Sequence, residues 1–82
     1  MIRIAILGCG MMGQEHISYI NKYPNLAIRF LCDPNGSSMD TALAMIENET
    51  PTALQEEKQL LEHIDEIDLL VIASVKYYCA VL

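Results

Sequence analysis

"GCGMMGQEH", residues Gly8 to His16, sets three glycines at G-x-G-x-x-G spacing. Glycine punctuates turns of every kind, so the spacing alone decides little. It reads as a nucleotide-binding loop only where a strand enters it, a helix leaves it and an acid follows about 20 residues on. All three conditions are met here. Ile2 to Leu7, "IRIAIL", is a nearly continuous apolar run of the kind that forms a strand buried on both faces. Beyond the loop, Gly13, His16, Ile17 and Ile20 share one stripe of a helix. Asp33 lies 20 residues past Gly13, at the end of a second expected strand, Leu26 to Cys32. In that strand Arg29 suggests one face less buried than the other.

The same alternation continues along the chain. "DPNGSS" is a turn, and Ser37 with Asp40 resembles a capping box for a helix whose stripe is Met39, Ala42, Leu43 and Ile46. Pro24 and Thr50-Pro51 close the first and second helices. "PTAL" is expected as a short edge strand. A weaker helix is expected from Gln55 to His63, burying Leu60, Leu61 and Ile64, and "DLLVIAS", Asp68 to Ser74, as a last strand. The pattern predicts an α/β fold with a parallel sheet and crossover helices. In strand order 3-2-1-4 the last strand is left as an apolar edge, a liability for aggregation.

Composition narrows the function classes. The chain has 82 residues, room for one small domain, and 52% of them are hydrophobic, enough for a packed core. Its formal charge of −6, with five scattered basic residues, makes nucleic acid and anionic membrane poor partners. No apolar run approaches the roughly 20 residues that span a bilayer, and no signal peptide is visible. Cys9, Cys32 and Cys79 form no C-x-x-C pair and read as small reduced hydrophobes of a cytoplasmic protein.

Each loop residue has a physical task. Gly8 turns the chain sharply off the strand, Gly10 leaves space for a pyrophosphate to reach the backbone, and Gly13 lets the helix pack close to the sheet. The loop has no cation, so the anion would be held by backbone N–H groups, those of Met11 and Met12 included, and by the helix dipole. Asp33 would accept from the ribose hydroxyls and repel a 2′-phosphate. No Arg or Lys lies between Arg29 and Lys58 to offset it, which favours NAD over NADP. Asp33 also suits a simple turn with Pro34 and Asn35. Methyltransferase and flavin sites fit less well: the former usually want a glycine where Met12 stands, the latter commonly a Glu at the ribose position.

"IRIAILGCGMMGQEH", "CDPN" and "IDLLVIAS" together resemble the amino-terminal, Rossmann-like domain of Gfo/Idh/MocA oxidoreductases, over Ile2 to Ser74. The histidine three places after the last glycine and the Asp-Pro after the second strand are its most specific marks. The resemblance implies a two-domain, often homo-oligomeric enzyme moving a hydride between a nicotinamide dinucleotide and a sugar, inositol or related polyol. It stops at Ser74, where the family continues with Pro-Asn and later with a Glu-Lys-Pro segment whose lysine is implicated in proton transfer. Here "VKYYCAVL" follows, and Lys76 stands in the wrong context to replace that lysine. The expectation is an incomplete dinucleotide-binding domain, 1–74, with later strands missing and a divergent tail, 75–82. The cofactor-binding set is Gly8, Gly10, Met11, Met12, Gly13, Asp33 and Ser74, with no catalytic residue and no metal. The alternative is an inactive truncated form that binds nucleotide weakly, associates with full-length subunits or has no stable function.

The remaining candidates carry structural readings. His16 is expected to be partly buried on its helix stripe, and His63 solvated near a helix end. Met39 and Met45, like Met11 and Met12, belong to core or loop. Glu56, Glu57, Glu62, Asp65 and Glu66 read as a solvated acidic surface. Tyr77 and Tyr78 suit either the sheet or the surface.

Overall fold

The central strand β1, Ile2–Leu7, pairs in parallel with β2, Leu26–Cys32, on one side and β4, Leu69–Ile72, on the other. A short β3, Thr52–Leu54, extends the sheet beyond β2, so the order is β3-β2-β1-β4 with every pair parallel. This computed structural model describes residues 1–74; Lys76, Tyr77, Tyr78, Cys79 and the expected tail lie outside the described residues.

The continuous apolar run of β1 is explained by two covered faces. Ile4 and Ile6 pack with Ile17 of α1, Met11–Ile20, and with Met39 and Ala42 of α2, Gly36–Ala44. Ala5 and Leu7 face the opposite way, onto Phe30, Cys32, Leu54 and Leu60. Full burial of an aliphatic side chain such as Ile17 stabilises the fold by roughly 1.5–3 kcal/mol.

Arg29 is exposed for a different reason from the one expected. Ile4 is registered with Ile28 and Ala5 with Phe30, leaving Arg29 without a partner at a bulge. The extra residue re-phases the strand, so that Ile28 and Leu31, three apart, both face α1 and α2. Both faces of β2 are therefore buried, and the cation leaves at the bulge. Beside it, β3 reaches only as far as Phe30, and the Glu49 carboxylate accepts from the Ile28 N–H at 2.9 Å.

Four local expectations are corrected. Asn35, not Ser37, caps α2: its side chain accepts from the Ser38 N–H at 3.0 Å, and Ser37 lies inside the helix. The third helix shrinks to α3, Lys58–Leu61, followed by a 3-10 turn, Ile64–Glu66. Of its expected apolar anchors only Leu60 is buried; Leu61 and Ile64 are 69% and 61% exposed. A helix this short has a single buried position to offer, and the 3-10 turn rotates Ile64 off that face. The last strand is four residues long, and its edge position leaves Leu69, Leu70 and Ile72 50%, 43% and 47% exposed.

At the amino ends of β1 and β4, Arg3 and Asp68 staple the strands. The guanidinium donates through Nε and Nη2 to the two carboxylate oxygens at 3.0 and 2.9 Å. The Arg3 N–H reaches Oδ2 at 2.8 Å, and the Asp68 N–H returns to the Arg3 carbonyl at 2.8 Å. These bonds hold the Asp68 carboxyl well below the usual carboxylate range.

Candidate nucleotide site

The parallel ladder continues past the strand ends and brings three of the expected site residues, Gly8, Asp33 and Ser74, into one cleft, whereas Gly10, Met11, Met12 and Gly13 do not line it. The Gly8 N–H donates to the Cys32 carbonyl at 2.8 Å, the Asp33 N–H to Leu54 at 3.0 Å and the Ala73 N–H to Leu7 at 2.8 Å. Gly8, Asp33 and Ser74 thus lie together at the carboxyl ends of the strands, where open α/β sheets bind ligands. They line one cleft of about 500 Å³ with Pro34 and with Gln55 to Lys58, the loop after β3. A larger groove of about 700 Å³ lies at the amino end of β2, between Tyr23, Arg29 and Glu49, and shares no residue with it.

The loop glycines divide by purpose. Gly8 has φ +101°, in the left-handed region, and a Cβ there would come within 2.7 Å of the Ser74 nitrogen. A Cβ on Gly13 would collide with the Gly8 carbonyl oxygen, so its absence sets how closely α1 approaches the turn. Gly10 differs: its φ is −76°, and a Cβ would meet nothing within 4 Å. No steric contact in the fold requires glycine at that position.

Gly10 is also the N-cap of α1, and no side chain caps the helix. The first-turn amides of Met11, Met12 and Gly13 have no intrahelical partner and carry the positive end of the dipole. Met11 and Met12 extend their side chains into solvent, whereas Met39 is core and Met45 half-buried.

Asp33 serves the turn and the loop at once. Oδ1 accepts from the Asn35 N–H at 2.8 Å, the turn expected with Pro34. Oδ2 accepts from the Cys9 N–H at 2.7 Å, tying the glycine loop to the end of β2. Cys9 itself is buried beneath the loop, and burial, reinforced by the Asp33 charge, pushes its thiol up to about 12. Cys32 is buried on the opposite face of the sheet, where burial also raises its thiol. Both are free thiols, as expected.

Three features were not singled out in the sequence. Gln14 donates from Nε2 to the Cys9 carbonyl at 2.9 Å, a contact that periodicity does not signal. The loop after β3 enters the cleft because β3 ends beside Asp33, and Gln59 Oε1 shapes it by accepting from the Gln55 and Glu56 N–H groups at 3.1 and 3.0 Å. Lys58 therefore stands in the cleft, immediately beyond the window read as free of cations, with its ammonium 3.3 Å from the Glu56 carboxylate.

The histidines are corrected. His16 is exposed, because α1 turns only Gly13 and Ile17 fully inward. His63 is half-buried, its ring 4.7 Å from that of Phe30 and its Nδ1 2.7 Å from Glu66 Oε2. The acidic residues of 56–66 are exposed, as a solvated face requires.

A profile described as an oxidoreductase family with an NAD-binding Rossmann fold matches residues 2–78. The chain belongs to the Gfo/Idh/MocA family. Among solved structures, a scyllo-inositol dehydrogenase from Lactobacillus casei, with bound NAD(H) and scyllo-inositol, superposes with a TM-score of 0.73 at 24% identity. A myo-inositol dehydrogenase from Corynebacterium glutamicum gives 0.72 at 29% identity. Each match covers 89% of this chain and 21% of the dehydrogenase, so the chain spans about a fifth of the length of these two structures. No curated sequence matches it. Among the described residues no helix is long and apolar enough to cross a membrane.

Proposed function

We propose that this chain is the NAD-binding portion of an oxidoreductase acting on a hydroxyl of a sugar, inositol or related polyol. The observation that carries the reading is Gly10: the fold leaves its Cβ position empty, directly before the uncapped amides of α1 and within one residue of the amide that Asp33 holds. Glycine there is explained by a ligand that must touch the backbone. In this reading the amides from Gly10 to Gly13 hold the pyrophosphate, with Gly8 and Gly13 shaping the loop. Asp33 accepts from the adenosine ribose, and Ser74 borders the nicotinamide side. The nicotinamide supplies hydride acceptance; the chain's residues bind and orient. Among the described residues none is placed to move the substrate's proton.

The balance of charge favours NAD over NADP. Among the described residues, Asp33, Glu56 and Glu57 share the cleft with one cation, Lys58, which is already paired with Glu56. A cytoplasmic location and assembly as a homo-oligomer, within a longer protein that carries the polyol site, complete the proposal. Gly10→Ala tests it: calorimetry should show NAD affinity falling about tenfold or more, a loss of at least ~1.4 kcal/mol, with a nearly unchanged melting temperature. Unchanged affinity would remove the loop from the site.

A further inference from the structure

Cys9 is held at both of its peptide groups. Its N–H donates to Asp33 at 2.7 Å, and its carbonyl accepts from the Gln14 side chain at 2.9 Å. Its own side chain is buried, with Sγ 3.8 Å from the Cys32 carbonyl, so the residue has no freedom to turn. Gln14 is anchored in its turn, its N–H donating to the Gly10 carbonyl at 2.9 Å. The loop from Cys9 to Gln14 is closed on itself by one side chain reaching back five residues.

We propose that Gln14 is a positioning residue for the pyrophosphate of the dinucleotide; this rests on the nucleotide reading above. The Cys9 carbonyl and the Gly10 N–H belong to one peptide group, planar and trans, and they point in opposite directions. Fixing the carbonyl toward Gln14 therefore aims the Gly10 N–H away from that side chain. Among the described residues this N–H meets no acceptor. A glycine-rich loop without such a tie samples many backbone conformations, and binding must then select one of them. With the tie, the ordering is complete before the ligand arrives, which raises affinity without a direct contact.

The test uses Gln14→Met, which keeps length and helix propensity but has no N–H, and Gln14→Glu, which keeps the shape but offers only acceptors when ionised. Binding of ADP-ribose, which carries the pyrophosphate, is compared with binding of adenosine, which reaches only the Asp33 end. ADP-ribose affinity should fall roughly three- to tenfold in Gln14→Met, the range expected for one lost hydrogen bond. It should fall at least as far in Gln14→Glu, while adenosine affinity stays within about twofold. Without ligand, amide hydrogen exchange at Cys9 should accelerate in Gln14→Met. Normal ADP-ribose binding by Gln14→Met, equal loss of both ligands, or unchanged exchange at Cys9 would each overturn the role of Gln14 alone. Failure of the unsubstituted chain to bind ADP-ribose would instead overturn the nucleotide reading, and this role with it.

Discussion

Replacing Gly13 by alanine would drive a methyl group into the Gly8 carbonyl oxygen, a rigid backbone atom that cannot step aside. Overpacking of this kind costs about 1–3 kcal/mol, a large part of the stability of a small domain. Gly13→Ala should therefore lower the denaturant midpoint sharply, while Gly10→Ala, in open space, should leave it almost unmoved. Equal midpoints would mean that α1 can shift away from the turn. Asp33 calls for a compound prediction, because its carboxylate already accepts from Cys9 and Asn35. Asp33→Ser removes a charged acceptor from the Cys9 amide and should destabilise the chain by roughly 1–3 kcal/mol. It should also narrow the preference for NAD over NADP, measured as the ratio of the two dissociation constants. A stability loss with an unaltered ratio would make Asp33 a residue of the turn alone.

At the scale of elements, the Arg3–Asp68 staple joins β1 to β4, whose outer edge is half-exposed. The Asp68 carboxyl titrates lower in the folded chain than in the unfolded one. Its contribution is therefore complete above the unfolded carboxylate value of about 4 and is lost as pH falls below it. Melting temperatures taken from pH 7 down to pH 3 should drop less for Asp68→Asn than for the parent chain. Parallel pH profiles would show that the pair contributes nothing. The strands and the first two helices were legible because long apolar runs and 3.6-residue stripes report burial directly. The bulge at Arg29 was not, since a single charge in an apolar strand looks the same at a bulge as on an open face. Leu61 and Ile64 misled for a related reason: apolar residues near a short helix carry no mark of which one the sheet will cover. Of the candidate site, the turn at Gly8 and the place of Asp33 at the end of β2 could be read from spacing. Gln14 and Lys58 could not, because their places depend on where a side chain reaches and where a short strand stops.

For the whole molecule, topology does the work that no single motif does. Four parallel strands in the order β3-β2-β1-β4 bring the glycine loop, the acid after β2 and the residue after β4 to one end. The bulge at Arg29 sits toward the other end, beside the larger groove, and leaves that gathering undisturbed. The cluster built on Ile4, Ile6 and Ile17 fixes α1 behind its glycines, so the positive end of the helix lies at the same end of the sheet as the cleft, with no cation in the loop. The proposed binding of an adenine dinucleotide at this end of the sheet, by backbone amides and one carboxylate, is tested by an amide NMR titration of the chain with NAD and, separately, NADP. Saturating shifts are expected at the amides of Gly8 to Gly13 and Asp33, reached at lower concentration with NAD than with NADP. Amides of the loop and Asp33 that ignore NAD, while others respond or none do, would contradict it.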